Sequence, residues 1–178
     1  MKRKKLIVWS TWDAESDRRQ IHIAAASGNW NEASSYSRIH PQWWRIPLND
    51  RGMTALHVAV SMRKTSFAEK MVNCMNMHDL EIPMVDGNTA FSLAAMTGNV
   101  KIAGILLRKN RRLAWIRGQN NMLPIQLASS AGHISMAEFL FQALPPDLHN
   151  SIPFQDIANL FFFTIDNNIH SNFSSIFP

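Results

Sequence analysis

The sequence predicts an all-α solenoid of stacked helix–turn–helix units carrying short β-turn fingers, and three observations lead there. Residues 21–28, 56–63, 91–98 and 125–132 align with one another, and their starts lie 35, 35 and 34 residues apart. Nine residues after the first alanine of each segment a second alanine recurs, at Ala33, Ala68, Ala103 and Ala137. Beyond each segment, apolar residues fall at helical spacing. A period in this range marks a repeat architecture rather than one globule.

Each unit reads as a turn, a short helix, a loop and a longer helix. Asp50-Arg51-Gly52 and Asp86-Gly87-Asn88 are turn chemistry, with glycine where the backbone needs a positive φ. Thr54 and Thr89 follow and can cap the first helix by accepting a bond from a free backbone N–H. Gly28, Gly98 and Gly132 then supply the left-handed stop. The second helix carries its stripe as Ile102, Ala103, Leu106 and Leu107 in one unit, and as Met136, Ala137, Leu140 and Phe141 in the next. Recurrent alanines allow helices and neighbouring units to approach closely while larger side chains interdigitate around them. In the first unit Glu32 and Ser37 stand where later units are apolar, as an N-terminal cap facing water requires.

Thr54-Ala55-Leu56-His57-Val58-Ala59 resembles the T-P-L-H-x-A signature of ankyrin repeats, with Ala in place of Pro. The resemblance covers residues 18–144 as four repeats, at about 18–48, 49–83, 84–117 and 118–144. It leaves residues 1–17 as a basic N-terminal extension, and residues 145–178 as a linker and a degenerate, truncated fifth repeat. A narrower resemblance rests on Gly28-Asn29-Trp30, His40-Pro41, Asp86-Gly87-Asn88-Thr89-Ala90, Ile116-Arg117-Gly118 and Leu160-Phe161-Phe162 with Asp166. These are similar to the plant ankyrin proteins with a C-terminal multi-span membrane domain, the PGG-domain family that includes the accelerated-cell-death type. That resemblance implies a cytosolic ankyrin part and a role in defence, cell death or stress signalling. The sequence reaches Pro178 without such a membrane domain, so the expectation is a short or truncated form. Eight of the ten Phe residues lie from Phe139 onward, an apolar end expected to mark a missing partner, a missing segment or an aggregation hazard.

Charge is unevenly placed. The formal net charge is +5, but Lys2, Arg3, Lys4 and Lys5 supply four of the positive charges. Arg108, Lys109, Arg111, Arg112 and Arg117 form a second basic patch, and no Lys or Arg follows Arg117. The N-terminal run has three open readings: a solvated tip, a nuclear-import-like signal, or a weak contact with an anionic membrane aided by Leu6, Ile7, Val8 and Trp9. The second patch falls at the end of the third repeat's second helix, where cations complement the helix dipole. An acidic partner or a phosphate-bearing ligand is the alternative there. Nucleic acid ranks below both, because Trp115 alone interleaves with the bases as a stacking platform.

No window of 18 apolar residues is present, so no transmembrane helix is expected within these 178 residues. The seven histidines are scattered, and no pair of them has metal-ligand spacing alongside the lone Cys74. Phosphate-binding loops and hydrolase or zinc-protease motifs are absent from the sequence. We therefore expect no enzyme, no metal and no cofactor. His22 and His57 occupy the signature histidine position, read as bonding to neighbouring turn backbone, and Ser92 and Gln126 replace them in the later repeats. Of Trp43 and Trp44, one is expected to pack between repeats and the other to be partly exposed.

The expected function is protein binding through the concave surface of the solenoid, made of turn tips and the exposed face of each first helix. Projecting the period gives Asp50, Arg51, Met53, Ser61 and Met62 in one repeat. The next contributes Val85, Asp86, Asn88, Met96 and Thr97, and the last Gln119, Asn120, Met122 and Ser130. A cytoplasmic location is expected, with the nucleus or the cytosolic face of the plasma membrane as alternatives. The competing function is a nuclear regulator of transcription using Lys2 to Lys5, or direct nucleic-acid binding.

Overall fold

The computed structural model describes residues 14–36 and 42–143. The basic run at Lys2 to Lys5 and the fifth repeat lie outside the described residues, as does Ser37. Among the described residues eight α-helices follow one another in pairs: α1 (Ala14–Ser27) with α2 (Trp30–Ser35), α3 (Ala55–Ser61) with α4 (Thr65–Cys74), α5 (Ala90–Met96) with α6 (Val100–Lys109), and α7 (Pro124–Ser130) with α8 (Ile134–Ala143). The first helices α1, α3, α5 and α7 pack in succession as one layer. The second helices α4, α6 and α8 do so as another.

Alanines let the layers close up. Ala24, Ala25, Ala59, Ala94, Ala95 and Ala128 are completely buried on the first helices, and so are Ala33, Ala68 and Ala103 on the second. Phe67, Phe91, Leu56, Ile102 and Leu106 fill the space between them. Trp30 and Phe67 meet edge to face at 5.5 Å, and Trp43 lies 6.4 Å from Trp30, so aromatic bulk compensates for the short α2. Trp43 is buried and Trp44 partly exposed, as expected.

Gly28, Gly98 and Gly132 end three of the first helices with φ of +83°, +65° and +75°. Arg63 takes the same place after α3 with φ +55°, a conformation L side chains adopt at a cost. Its guanidinium donates to the Thr97 carbonyl at 3.0 Å, tying that loop to the next repeat. Glu32 has a definite partner in its cap: Asn29 Oδ1 accepts from Glu32 N at 3.3 Å, and Asn29 Nδ2 donates to Glu32 Oε2 at 3.0 Å. The start of the helical body differs from the expected boundary at residue 18. α1 begins at Ala14, giving it twice the length of α3.

Between second helix and the following finger the first three repeats insert a 3-10 turn, at Trp43–Arg45, His78–Glu81 and Arg111–Trp115. Asn76 Oδ1 accepts from the His78 and Asp79 amides, and Asn110 Oδ1 accepts from the Arg112 amide. The Asp79 carboxylate is buried and collects Arg45 Nε at 2.6 Å, Trp44 Nε1 at 3.2 Å and the Asn76 amide at 3.0 Å. A buried carboxylate needs such partners, and here they clasp the first repeat to the second.

Candidate binding face

The fingers are built from backbone first. In the first, Gly52 N donates to Asn49 O at 2.9 Å and Leu48 N to Met53 O at 2.7 Å. The second repeats this, with Gly87 N to Met84 O at 3.0 Å and Met84 N to Asn88 O at 2.8 Å. The third closes with Asn121 N to Gly118 O at 3.1 Å. Gly52 and Gly87 sit at φ +74° and +85°, which explains the turn glycines. Neighbouring fingers are linked in turn. Val85 N donates to Arg51 O at 3.0 Å, and Gln119 N donates to Asn88 Oδ1 at 3.0 Å. Any side chain at Gly118 would collide with that same Asn88 amide oxygen. The finger row is thus a preordered edge, with little entropy left to lose on association.

At the base of each finger a polar residue three positions after the cap fixes the first helix. Thr54 N donates to His57 Nδ1 at 3.2 Å, with Thr54 Oγ1 at 2.8 Å from the same nitrogen. In the last repeat Gln126 Oε1 likewise accepts from Leu123 N at 2.8 Å. Ser92 differs: its backbone N–H donates to Thr89 Oγ1 at 3.2 Å and its hydroxyl lies 3.2 Å from the same oxygen, so the third repeat bonds to the cap side chain where the others bond to the cap backbone. His57 is buried, and burial pushes its imidazole down to about 4 against the opposing pull of the Asn88 and Ile82 backbones and the Asp86 carboxylate. Its Nε2 has no partner at hydrogen-bonding geometry. His22 is only partly buried, at the edge of a cleft beside the first finger.

Most of the residues that the period projected onto this face are at least partly exposed. Asp50, Arg51, Asp86, Gln119, Asn120 and Ser130 are exposed, as are Met62 at 53% and Val85 at 79%. Met53, Ser61, Met96, Thr97 and Met122 are partly exposed. Asn88 is a correction: it is 1% exposed, because its amide spans from Asp86 Oδ2 to the Gln119 backbone and holds two fingers together. Thr97 turns its hydroxyl back to Leu93 O at 2.8 Å.

The basic patch divides. Lys109 Nζ does not serve its own helix; it donates to Val72 O at 2.7 Å at the end of α4, in the preceding repeat. Arg117 bonds Asn121 O at 2.8 Å and braces the third finger. Arg108, Arg111 and Arg112 are exposed. Sequence reasoning missed the first turn of α1, residues 14–17, and the cleft beside it. Glu15, together with Arg18, Arg19, His22 and residues 47–50, lines a cleft of about 550 Å³ at the start of the finger row. The signal was the helical run ahead of residue 18, which was assigned to the basic extension. Among the described residues no three His, Cys, Asp or Glu side chains could hold a metal together, and no helix is long and apolar enough to cross a membrane.

The family model for ankyrin repeats, in three copies, matches residues 21–113, just over half of the 178 residues. The chain belongs to the ankyrin-repeat family. Such repeats are generally protein–protein interaction modules, typically without enzymatic activity. In ankyrin terms α7 and α8 form a further unit beyond the matched stretch, with the same helix lengths as α5 and α6. No curated protein matches this ankyrin chain significantly.

Proposed function

We propose that this ankyrin-repeat chain is a non-enzymatic adaptor that holds a protein partner on its finger row and the exposed ends of its first helices. The carrying observation is the pair of apolar side chains left in water there, Met62 and Val85, on a backbone edge already fixed by hydrogen bonds. Methionine adapts its shape to a partner at low strain, and the flanking Asp50, Arg51 and Asp86 provide a polar rim. Placing a photo-reactive residue at position 62, at 85 or at the exposed Lys101 of α6 tests this inside cells. Discrete protein adducts at 62 and 85 but not at 101 are expected. Equal labelling at all three, or at 101 alone, contradicts the assignment.

The finer reading places the chain in the cytoplasm, as the ankyrin part of a plant-type membrane-tethered family acting in stress or defence signalling. It rests on the sequence motifs quoted for that family and on nothing else. A second reading, nuclear regulation of transcription or nucleic-acid binding, is favoured by Lys2-Arg3-Lys4-Lys5 alone. Imaging the chain with and without residues 1–5 separates the two locations. Nuclear accumulation abolished by the deletion supports the second, and a cytoplasmic signal in both supports the first.

A further inference from the structure

The layer of second helices carries a feature unrelated to the finger row. Gly104 is the one glycine inside a helix among the described residues, and it weakens α6 relative to alanine. At the same register the other repeats have Ser34, Glu69 and Glu138. No crowding demands glycine there. A Cβ would meet only the Phe139 ring at 3.8 Å and the Arg108 guanidinium at 3.9 Å, both ordinary contacts. What the missing side chain leaves is a groove of about 230 Å³ between α6 and α8, lined by Gly104, Leu107, Arg108, Arg111, Phe139 and Ala143.

Its chemistry is two-sided. Leu107, Phe139 and Ala143 make an apolar wall. Arg108 and Arg111 stand exposed at the end of α6 and the start of the 3-10 turn, without hydrogen bonds or ion pairs to other described residues. Lys109, between them, is committed to α4 and leaves the groove to the two guanidinium groups. The volume lies below the roughly 300–1,000 Å³ of sites that enclose a drug-sized ligand. It exceeds the roughly 150 Å³ that suffices for a benzene ring. One large apolar side chain fits. Guanidinium groups beside it match carboxylates in geometry and charge.

We propose that this groove seats an acidic peptide segment of a partner protein. One aromatic or large aliphatic side chain enters over Gly104 against Phe139, and flanking carboxylates meet Arg108 and Arg111. The surface is separate from the finger row, so the chain can hold two partners at once, one on each layer.

The test is a fluorescence-anisotropy titration of the full chain with a labelled synthetic peptide carrying one Phe flanked by three Asp. Saturable binding is expected, weakened about tenfold or more by Phe→Ala or by Asp→Asn in the peptide. The protein variants R108E/R111E and G104L should each weaken it as much, the first by reversing charge and the second by filling the groove. R108Q/R111Q serves if the charge reversal disturbs folding, judged by an unchanged thermal melt. Absent binding overturns the proposal. So does equal binding of the Phe→Ala peptide, which would reduce the groove to a charge effect. A dimer of the wild type that R108E/R111E dissociates also overturns it, because the occupant would then be a second copy.

Discussion

In the second repeat the position three residues after the cap of the first helix holds His57; in the third repeat Ser92 stands there. The loop after that helix turns on Arg63 in one and on Gly98 in the other, at φ +55° and +65°. On the second helix Glu69 in one corresponds to Gly104 in the other at the same register. The backbones nonetheless agree, with α3 and α5 of seven residues each and α4 and α6 of ten. The comparison separates what the ankyrin frame demands from what it tolerates. It demands a left-handed residue and a hydrogen bond between the cap residue and the position three residues on. It tolerates different side chains in both roles, and the consequences of each choice can be measured.

The largest effect is expected at Gly98. A Cβ there combines a left-handed backbone with a collision against the base of the His133 ring, so Gly98→Ala should lose about 3 kcal/mol by denaturant titration. A loss below about 1 kcal/mol would mean that the loop between α5 and α6 is not as tightly packed as described.

Close behind comes the pH dependence that His57 confers and Ser92 cannot. The folded imidazole is held neutral down to about pH 4, whereas an unfolded one takes up a proton near pH 6.5. The unfolded chain thus binds more protons between these values. Stability present above pH 6.5 falls as pH drops towards 4, by on the order of 3 kcal/mol, and levels off below. His57→Ser, which copies the third repeat, should remove this slope. An unchanged slope would place the sensitivity elsewhere.

Two smaller changes run in the stabilising direction. Gly104→Ala should add about 1 kcal/mol, since a methyl group meets Phe139 at ordinary distance and the helix gains a better former. Arg63→Gly relieves the left-handed strain but gives up the bond to Thr97 O and adds freedom to the unfolded chain. A gain of about 0.5 kcal/mol is expected. Clear destabilisation would show that the Arg63 tether outweighs its strain.

The sequence made the frame legible because its elements are local and periodic. Gly28, Gly98 and Gly132 take positive φ, and Ala33, Ala68 and Ala103 are buried, where the spacing put them; Ala137 is only partly buried, and Leu123 stands at the cap of the last repeat. The 3-10 turns were missed, although Asn76 and Asn110 cap them, because the two asparagines lie 34 residues apart and fall one position out of the 35-residue register. Asp79 was not legible at all, because its partners Arg45 and Trp44 come from the preceding repeat. The same holds for Lys109, whose charge serves a helix end 37 residues earlier in the chain. Asn88 was placed on the binding face by its turn position. Its burial follows from the next finger closing over it, which no single repeat reveals. Periodicity reports what each unit repeats; contacts between units follow from pairs of residues that it does not couple.

The most direct measurement is amide hydrogen exchange of the chain with and without the protein recovered by cross-linking at positions 62 and 85. Binding on the finger row predicts slowed exchange in residues 49–53, 84–88 and 118–122, with α4 and α6 unchanged. Slowed exchange confined to α4 and α6, with the fingers unaffected, would contradict the assignment of the partner surface.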